Sequence, residues 1–183
     1  MNKIVAIVGM CGSGKSIASD YYEGRGYQKV YFGGVTMDKL KEENLEINPE
    51  NEQMMRERLR NEYGMGAYAF LLLPKISELI TKGNVVLDGL YSWDELKILK
   101  NEFPEMIVLA IVVNKSHRYE RLNSRTIRPF NQIEANQRDI TEIEHLAKGG
   151  PIAFADYYIL NNDSLDNYIQ ELNKVTDLIE GAE

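Results

Sequence analysis

The chain has 183 residues, of which 44% are hydrophobic and 27% are charged, so its composition is that of a folded globular protein with a real core. Its formal net charge of −7 argues against a general nucleic-acid binder, because non-specific affinity for phosphate backbones needs clustered positive charge. Any phosphate that the chain binds must therefore be held by a local group of residues.

Cysteine content and hydropathy indicate the compartment. The single cysteine, Cys11, excludes an internal disulfide and a zinc site built from cysteines, and it fits a reducing compartment. The apolar run over residues 4–8 is too short for the core of a secretory signal. We therefore expect a cytoplasmic protein that spans no membrane.

Five short apolar runs are uninterrupted rather than alternating, which is typical of strands buried on both faces of a parallel sheet. They cover residues 3–8, 28–32, 84–87, 106–113 and 157–160. Segments with helical spacing lie between them, so the sequence predicts a βαβ series.

The clearest helix start lies at Asn48, which is followed by a proline and by acidic residues in the first turn. This pattern predicts a helix from Pro49 to about Tyr63. Residues 67–80 are also helical in character, but Pro74 must kink this helix, end it or start another. The sequence leaves these alternatives open.

Two further segments have the spacing of capping boxes, in which the first residue and a glutamate three positions later bond each other's backbone. These pairs are Ser92 with Glu95 and Asn131 with Glu134. The second pair predicts the start of a long polar helix. Either Asp163 or Ser164 should open the last helix of the chain.

No repeat, low-complexity tract or linker rich in proline, glycine and serine divides the chain, so residues 1–183 should form a single domain. Two polar stretches, at about 33–64 and 118–138, are the candidates for subdomains. We expect them at the carboxyl edge of the sheet, where the ligand sites of α/β proteins form.

Residues 9–16 match the spacing G-x-x-x-x-G-K-S, and they stand between a predicted strand and a segment compatible with a helix. Glycines let the backbone wrap around phosphate oxygens, while the helix N-terminus supplies N–H groups and Lys15 reaches the β- and γ-phosphates. Ser16 would ligate Mg²⁺. The sequence therefore predicts that ATP is bound by Gly9, Cys11, Gly12, Ser13, Gly14, Lys15 and Ser16.

A carboxylate ends the third apolar strand. Asp88 is the candidate for holding a metal-bound water at the phosphate site, where it would also face the substrate. Strands often end in aspartate for reasons of turn geometry alone. The phosphate motif earlier in the chain favours the functional interpretation.

Arginines recur in a segment that predicts a helix leading into a loop, beginning with Arg118. Multi-donor cations of this kind suit the charge that develops on a transferring phosphoryl group. A solvated helix face is the alternative. The spacings of four and three favour a lid with Arg121, Arg125 and Arg128 as catalytic residues, and Arg138 lies farther on.

The helix predicted after Pro49 carries a second basic group. Arg56 and Arg60 share one face, whereas Arg58 points elsewhere. The phosphate of an acceptor nucleotide would fit against this pair as substrate. Ion pairs with glutamates of the same helix are an equally open alternative.

These motifs resemble those of the nucleotide-kinase-like P-loop proteins, most closely a poorly characterised group related to dephospho-coenzyme A kinase and adenylate kinase. The resemblance covers nearly the whole chain and rests on residues 9–16, 59–64, 85–89, 119–122 and 155–162. It implies a three-layer α/β fold, a five-stranded parallel sheet in the order 2-3-1-4-5 with helices on both faces, an acceptor-binding region and a lid. It also implies that Asn161 belongs to the backbone segment near the adenine.

The segment after the second strand departs from those relatives, which carry there an acid that contacts the acceptor hydroxyl and then an arginine. Gly34 and Met37 stand at the aligned positions. Asp38 would substitute for the acid only if the loop shifts, and Lys39 would replace the missing cation. Both count as predicted substrate-binding residues.

Two functions remain open from the sequence. The first is an ATP- and Mg²⁺-dependent phosphotransferase acting on a small acceptor like those of dephospho-coenzyme A kinases or of nucleoside and nucleotide kinases. The second is an ATP-binding regulatory module or ATPase that has lost acceptor phosphorylation. A GTPase switch is disfavoured, because His117 stands where residues 114–117 need an aspartate to bind guanine.

Overall fold

The computed structural model describes residues 2–127 and 129–181, which form an α/β fold around one parallel sheet. Its strands are β1 (Ile4–Val8), β2 (Gln28–Tyr31), β3 (Val85–Asp88), β4 (Ile107–Val112) and β5 (Tyr157–Leu160). They are arranged in the order β2-β3-β1-β4-β5. The order implied by the resemblance is confirmed.

Helices connect the strands and cover both faces of the sheet. They are α1 (Lys15–Gly24), α2 (Gly34–Glu42), α3 (Pro49–Tyr63), α4 (Ala67–Lys82), α5 (Trp93–Glu102), α6 (Lys115–Asn123), α7 (Gln132–Glu144), α8 (Gly149–Ala153) and α9 (Leu165–Gly181). No helix in the described ranges combines the length and the apolar character that a membrane crossing requires.

The central strand β1 divides the core into two layers. All five of its residues are buried, and successive side chains point to opposite faces of the sheet. Ala6 and Val8 belong to a hydrophobic cluster with residues of α2 to α5, such as Met55. Val5 and Ile7 belong to a second cluster, with residues of α1 and α9. The apolar run of β1 is uninterrupted because both of its faces are covered, whereas the edge strands β2 and β5 are partly exposed.

The helix starts follow the predicted signals. The Asn48 side chain accepts a hydrogen bond from the Asn51 N–H at 2.9 Å, and α3 has the predicted bounds. Both predicted capping boxes are present, at the starts of α5 and α7. Of the two candidates for the last helix, Ser164 accepts the Asn167 N–H at 3.2 Å.

Helix α2 differs from the sequence-based prediction, and the course of α4 at Pro74 decides among alternatives that the sequence left open. The sequence did not predict α2, whose segment is polar and begins with glycines. Buried Thr36 and Leu40 pack it against the core, and Thr36 Oγ1 lies 2.7 Å from Tyr68 Oη, so tertiary packing outweighs weak helix propensity. Helix α4 continues through Pro74 to Lys82, which excludes a helix end or start at the proline.

Candidate functional site

The phosphate-binding motif forms the connection from β1 to α1, and its conformation requires glycine. Gly9 and Gly14 have φ angles of 148° and 95°, which side chains rarely adopt. A Cβ atom on Gly9 would lie 2.5 Å from the Ile111 carbonyl oxygen, and one on Gly14 would lie 2.6 Å from Asn161 Nδ2. The neighbouring strand ends therefore fit closely around the bare backbone of this loop.

The loop leads directly into α1, which begins at Lys15. The first N–H groups of a helix have no partners within the helix, and the helix dipole adds positive potential at that end. Gly14, the residue before the helix, brings no side chain to cap them. A closely wrapped loop that opens on a helix N-terminus is an arrangement that fits the phosphates of a nucleotide.

Two side chains from distant parts of the chain hold the carbonyl groups of the loop. Asn161 Nδ2 donates to the Ser13 carbonyl at 2.9 Å, and the Tyr168 hydroxyl donates to the Gly14 carbonyl at 3.0 Å. Arg121 Nη2 in turn donates to the Asn161 carbonyl at 2.8 Å. The Asn161 side chain thus lies against the loop and supports it. Arg121 in turn holds the backbone of Asn161.

Lys15 folds back over the loop, and its Nζ donates to the Met10 carbonyl at 3.0 Å. Burial, together with the nearby charge of Lys148, lowers the pKa of Lys15 to about 7. An anion bound at the loop would stabilise the charged form of this lysine. The residue that the motif assigns to the β- and γ-phosphates is therefore in place, and its Nζ bonds a carbonyl group of the loop.

Asp88 ends β3 beside the start of α1. Its Oδ2 accepts a hydrogen bond from Ser19 Oγ at 3.0 Å and lies 3.7 Å from Lys29 Nζ. Ser16 is exposed in the first turn of α1. The described part of the chain contains no group of three or more His, Cys, Asp or Glu side chains arranged to hold a metal. A Mg²⁺ ion here would depend on the Ser16 hydroxyl, water on Asp88 and nucleotide oxygens, which fits the ligands that Mg²⁺ prefers.

A cleft of about 640 Å³ opens beside the loop. Its walls come from α2, α3, the segment after β3, and the region of α6 and α7. Its lining includes four of the predicted site residues, which are Cys11, Arg56, Arg60 and Arg125. The structure thus brings one residue of the phosphate loop and the predicted arginine pair to one cavity.

The two arginines of α3 that line the cleft are held differently. Arg56 Nη1 lies 3.4 Å from Glu52, whereas the Arg60 guanidinium lies 5.6 Å from the centre of the Tyr68 ring. Within the described residues, buried Arg60 Nε has no hydrogen-bond partner. Arg58 points away from the cleft and bonds Glu43, as helical spacing predicts.

Asp38 and Lys39 do not reach this cleft. Because the segment after β2 is a helix, Gly33, Thr36 and Met37 line the cavity instead. Asp38 is exposed, and Lys39 bonds Glu42 at 2.7 Å. The structure thus places both predicted substrate-binding residues outside this cleft, and their contact with an acceptor stays a prediction.

The predicted lid arginines separate into different roles. Arg125 lines the cleft. Arg118 is buried in a two-pronged ion pair with Asp139, at 2.8 and 2.6 Å. Arg121 bonds the Asn161 carbonyl rather than facing the cavity, and Arg128 lies outside the residues that the structure describes.

Comparisons with known proteins agree with this architecture. A family model described as "AAA domain" matches residues 5–142. A UPF0200 protein of Thermococcus kodakarensis is 36% identical over 182 residues, which cover 96% of this chain and 97% of that protein. The chain belongs to the UPF0200 family. Another UPF0200 protein, from Pyrococcus horikoshii, is 32% identical over 181 residues, with 96% and 97% covered.

Solved structures of other proteins have folds similar to that of this UPF0200 chain. The crystal structure of TT1252 from Thermus thermophilus has a TM-score of 0.66 and 17% identity, and 96% of each chain is covered. Shikimate kinase from Acinetobacter baumannii, in complex with shikimate, has a TM-score of 0.61 and 16% identity, with 100% of this chain and 96% of that one covered. The fold is therefore nucleotide-kinase-like, and its P-loop domain implies nucleotide binding.

Sequence reasoning missed two residues beside the phosphate loop of this UPF0200 chain. Glu142 Oε2 accepts hydrogen bonds from the Cys11 N–H at 3.3 Å and from Lys148 Nζ at 2.8 Å. In the sequence, Glu142 belongs to a polar helix and Lys148 to a glycine-containing turn, and both resemble surface residues. The only available signal was that Glu142 lies four positions after Arg138, a spacing that permits an ion pair.

Proposed function

We propose that this protein is an ATP-dependent phosphotransferase that transfers the γ-phosphoryl group to a small nucleotide-like or coenzyme-like acceptor. One observation carries the proposal: the cleft of about 640 Å³ is lined both by Cys11 of the phosphate loop and by Arg56 and Arg60. This volume lies within the range of small-molecule sites. A γ-phosphoryl group held at the loop would face an acceptor held at the arginines.

Catalysis in this proposal consists of positioning and charge neutralisation. Lys15 binds the β- and γ-phosphates, and the loop N–H groups hold their oxygens in place. Mg²⁺, held by the Ser16 hydroxyl and through water by Asp88, would neutralise charge on the phosphates. Arg125, on the lid side of the cleft, supports the transferring group. The protein itself needs no nucleophile, since the acceptor oxygen attacks the phosphorus.

The acceptor end of the cleft favours a ligand that carries an anionic group. The buried Arg60 Nε lacks a partner among the described residues, and an unpaired buried donor costs free energy that a ligand oxygen would recover. Tyr31, Tyr91 and Phe130 add aromatic surface to the same cavity. A phosphate on the arginine pair with a base or similar ring against these side chains fits this lining.

A regulatory module or ATPase without an acceptor is the second candidate, and one observation favours it. The acid that related kinases carry after the second strand is replaced by Gly34, and the nearby Asp38 is exposed outside the cleft. Without a carboxylate at that point, activation of an acceptor hydroxyl would need another group. A phosphate acceptor does not need this activation, because its oxygen is already ionised near pH 7.

An acceptor panel tests the two candidates against each other. Mg-ATP is kept constant while nucleoside monophosphates, nucleosides and dephospho-coenzyme A are varied, and both the Tm and the rate of ADP formation are measured. We expect one acceptor class to raise the Tm and to accelerate ADP formation. Binding of Mg-ATP with no dependence on any acceptor would support the module and overturn the phosphotransferase.

Two arginine variants sharpen this experiment. Arg60→Met should abolish the Tm rise caused by the acceptor and preserve the rise caused by Mg-ATP. Arg58→Met is the matched control, because Arg58 lies on the same helix but bonds Glu43 outside the cleft. An acceptor response equal in Arg60→Met and in wild type would remove Arg60 from the site.

A further inference from the structure

A buried ion pair lies beside the phosphate loop, outside the motif. Lys148 Nζ and Glu142 Oε2 are 2.8 Å apart, and their side chains are only 1% and 2% exposed. Lys148 also lies over the ring of Tyr91, at 5.2 Å from its centre. A buried pair of this kind seldom increases stability over apolar residues of similar size, because both charges lose their hydration. Its position therefore suggests a role in binding.

The shared carboxylate oxygen lies where two donors converge. Glu142 Oε2 accepts from the loop N–H of Cys11 at 3.3 Å as well as from Lys148. A backbone N–H of the phosphate loop together with a lysine ammonium is a pair of donors that suits a phosphate oxygen. The second oxygen, Oε1, accepts from Arg138 Nε at 3.0 Å. Glu142 would therefore keep Arg138 as a cationic partner if Oε2 lost its contacts with Cys11 and Lys148.

The charges around the loop leave room for a further anion. Lys15 belongs to the phosphate loop, and Lys148 bonds Glu142, which accepts the N–H of Cys11 in the same loop. Lys148 thus has a carboxylate partner, whereas the hydrogen bond of Lys15 Nζ goes to the Met10 carbonyl, which carries no formal charge. An arriving γ-phosphate would satisfy both ammonium groups.

We propose that Glu142 Oε2 occupies the position of a γ-phosphate oxygen in the nucleotide-free protein, and that ATP displaces it, so that Lys148 binds the γ-phosphate beside Lys15. This inference rests on the proposed ATP site. ADP lacks the γ-phosphate and leaves the pair of Glu142 and Lys148 intact. Lys148 then contributes a contact that ATP makes and ADP does not.

Calorimetric titrations with Mg-ADP and with the non-hydrolysable Mg-AMP-PNP test this assignment without turnover or acceptor. Lys148→Met should weaken Mg-AMP-PNP binding about tenfold or more and change Mg-ADP binding by less than about threefold. Glu142→Gln should act in the opposite direction and tighten Mg-AMP-PNP relative to Mg-ADP, because Lys148 no longer gives up a charged partner. Weaker Mg-AMP-PNP binding in Lys148→Met together with tighter binding in Glu142→Gln is specific to displacement of Glu142 by the γ-phosphate.

Two control variants remove the same charges elsewhere on the lid side. Glu144→Gln changes an exposed glutamate of α7, and Lys115→Met changes an exposed lysine of α6. Both should preserve the wild-type ratio of the two affinities. If Lys148→Met is unstable because Glu142 loses its partner, the double variant Lys148→Met/Glu142→Gln removes both charges. In this double variant, the affinity for Mg-AMP-PNP relative to that for Mg-ADP should still be lower than in wild type.

The failures of this inference and of the proposed function are distinguishable. Equal weakening of both nucleotides in the Lys148 variants, or weaker Mg-AMP-PNP binding in Glu142→Gln, would reduce the pair to a structural role while the ATP site stands. Wild-type protein that binds neither nucleotide would contradict the proposed function, and the assignment of Lys148 with it.

Discussion

Glu95 is a fully buried carboxyl group at the start of α5, where it belongs to the capping box of Ser92. Its Oε2 accepts from the backbone N–H groups of Tyr91 and Ser92, at 2.7 and 3.0 Å. Oε1 is buried and has no hydrogen-bond partner in the described part of the chain. Burial raises the pKa of Glu95 to about 7 and outweighs the hydrogen bonds and the charges of Arg60 and Lys148, which lower it.

This residue makes stability depend on pH in a defined window. Between about pH 4.5 and pH 7 the folded protein keeps the Glu95 proton that the unfolded chain releases, so the free energy of unfolding falls as the pH rises. Between these pH values, the free energy of unfolding should fall less in Glu95→Gln than in wild type, by on the order of 1 to 3 kcal/mol. Urea denaturation at pH 5 and at pH 7.5 measures it.

The control for this prediction lies on the same helix. Glu102 is exposed at the end of α5, so Glu102→Gln removes a glutamate from the helix without touching the buried cap. Its pH dependence should match that of wild type. An equally steep loss of stability in Glu95→Gln would show that Glu95 does not hold its proton in the folded state.

At the scale of elements, α6 and α7 are joined to each other and to the phosphate loop. Arg118 of α6 pairs with Asp139 of α7, and its Nη1 also donates to the Cys11 carbonyl at 3.0 Å. Glu142, one turn farther along α7, accepts the Cys11 N–H. Helix α7 therefore reaches both polar groups of one loop residue, once directly and once through Arg118.

Breaking this connection should be costly. Asp139→Asn leaves the Arg118 charge buried without its carboxylate, and we expect the free energy of unfolding to fall by about 3 kcal/mol. The double variant Arg118→Met/Asp139→Leu should recover most of that loss. Glu171→Gln, which breaks an exposed pair on α9, should cost less than about 0.5 kcal/mol. Urea denaturation of the variants decides, and an Asp139→Asn protein as stable as wild type would contradict the account.

The elements that were predicted correctly are those with local signals. Strands buried on both faces appear as apolar runs, and the caps at Asn48, Ser92 and Asn131 are read from three or four neighbouring residues. Helix α2 has no such signal, since contacts such as that of Thr36 with Tyr68, far along the chain, hold it in place. The missed α2 is also the reason that Asp38, which was expected at the acceptor if the loop shifted, lies outside the cleft.

In the candidate site, too, the residues with a local sequence signal were predicted and those placed by distant contacts were not. Lys15 and Asp88 were identified from a motif and from a strand end, and the structure brings both to one edge of the sheet. Glu142 and Lys148 are separated from the loop by more than a hundred residues, and no local pattern predicts that Glu142 contacts Cys11 or that Lys148 bonds Glu142. The packing of α7 against the loop brings Glu142 there, and Lys148, which lies beyond the end of α7, is held there by its bond with Glu142.

At the scale of the whole molecule, the strand order accounts for the position of the site. Because β1 lies between β3 and β4, its carboxyl end places the loop beside Asp88 at the end of β3. The edge strand β5, paired with β4, brings the region of Asn161 to the same edge of the sheet. Open α/β sheets bind ligands at this edge. Two layers of helices hold the sheet on both faces, so the loop rests on a rigid support while α2, α3 and α7 border the cleft.

The central claim is that this edge of the sheet binds Mg-ATP through the phosphate loop, and calorimetric titration of Mg-ATP into wild type and Lys15→Ala tests it most directly. Wild type should bind, whereas Lys15→Ala should lose about tenfold or more in affinity and remain folded, because the charge of Lys15 is costly to bury. Lys174→Ala, on the exposed face of α9, is the control. Unchanged Mg-ATP affinity in Lys15→Ala would contradict the account.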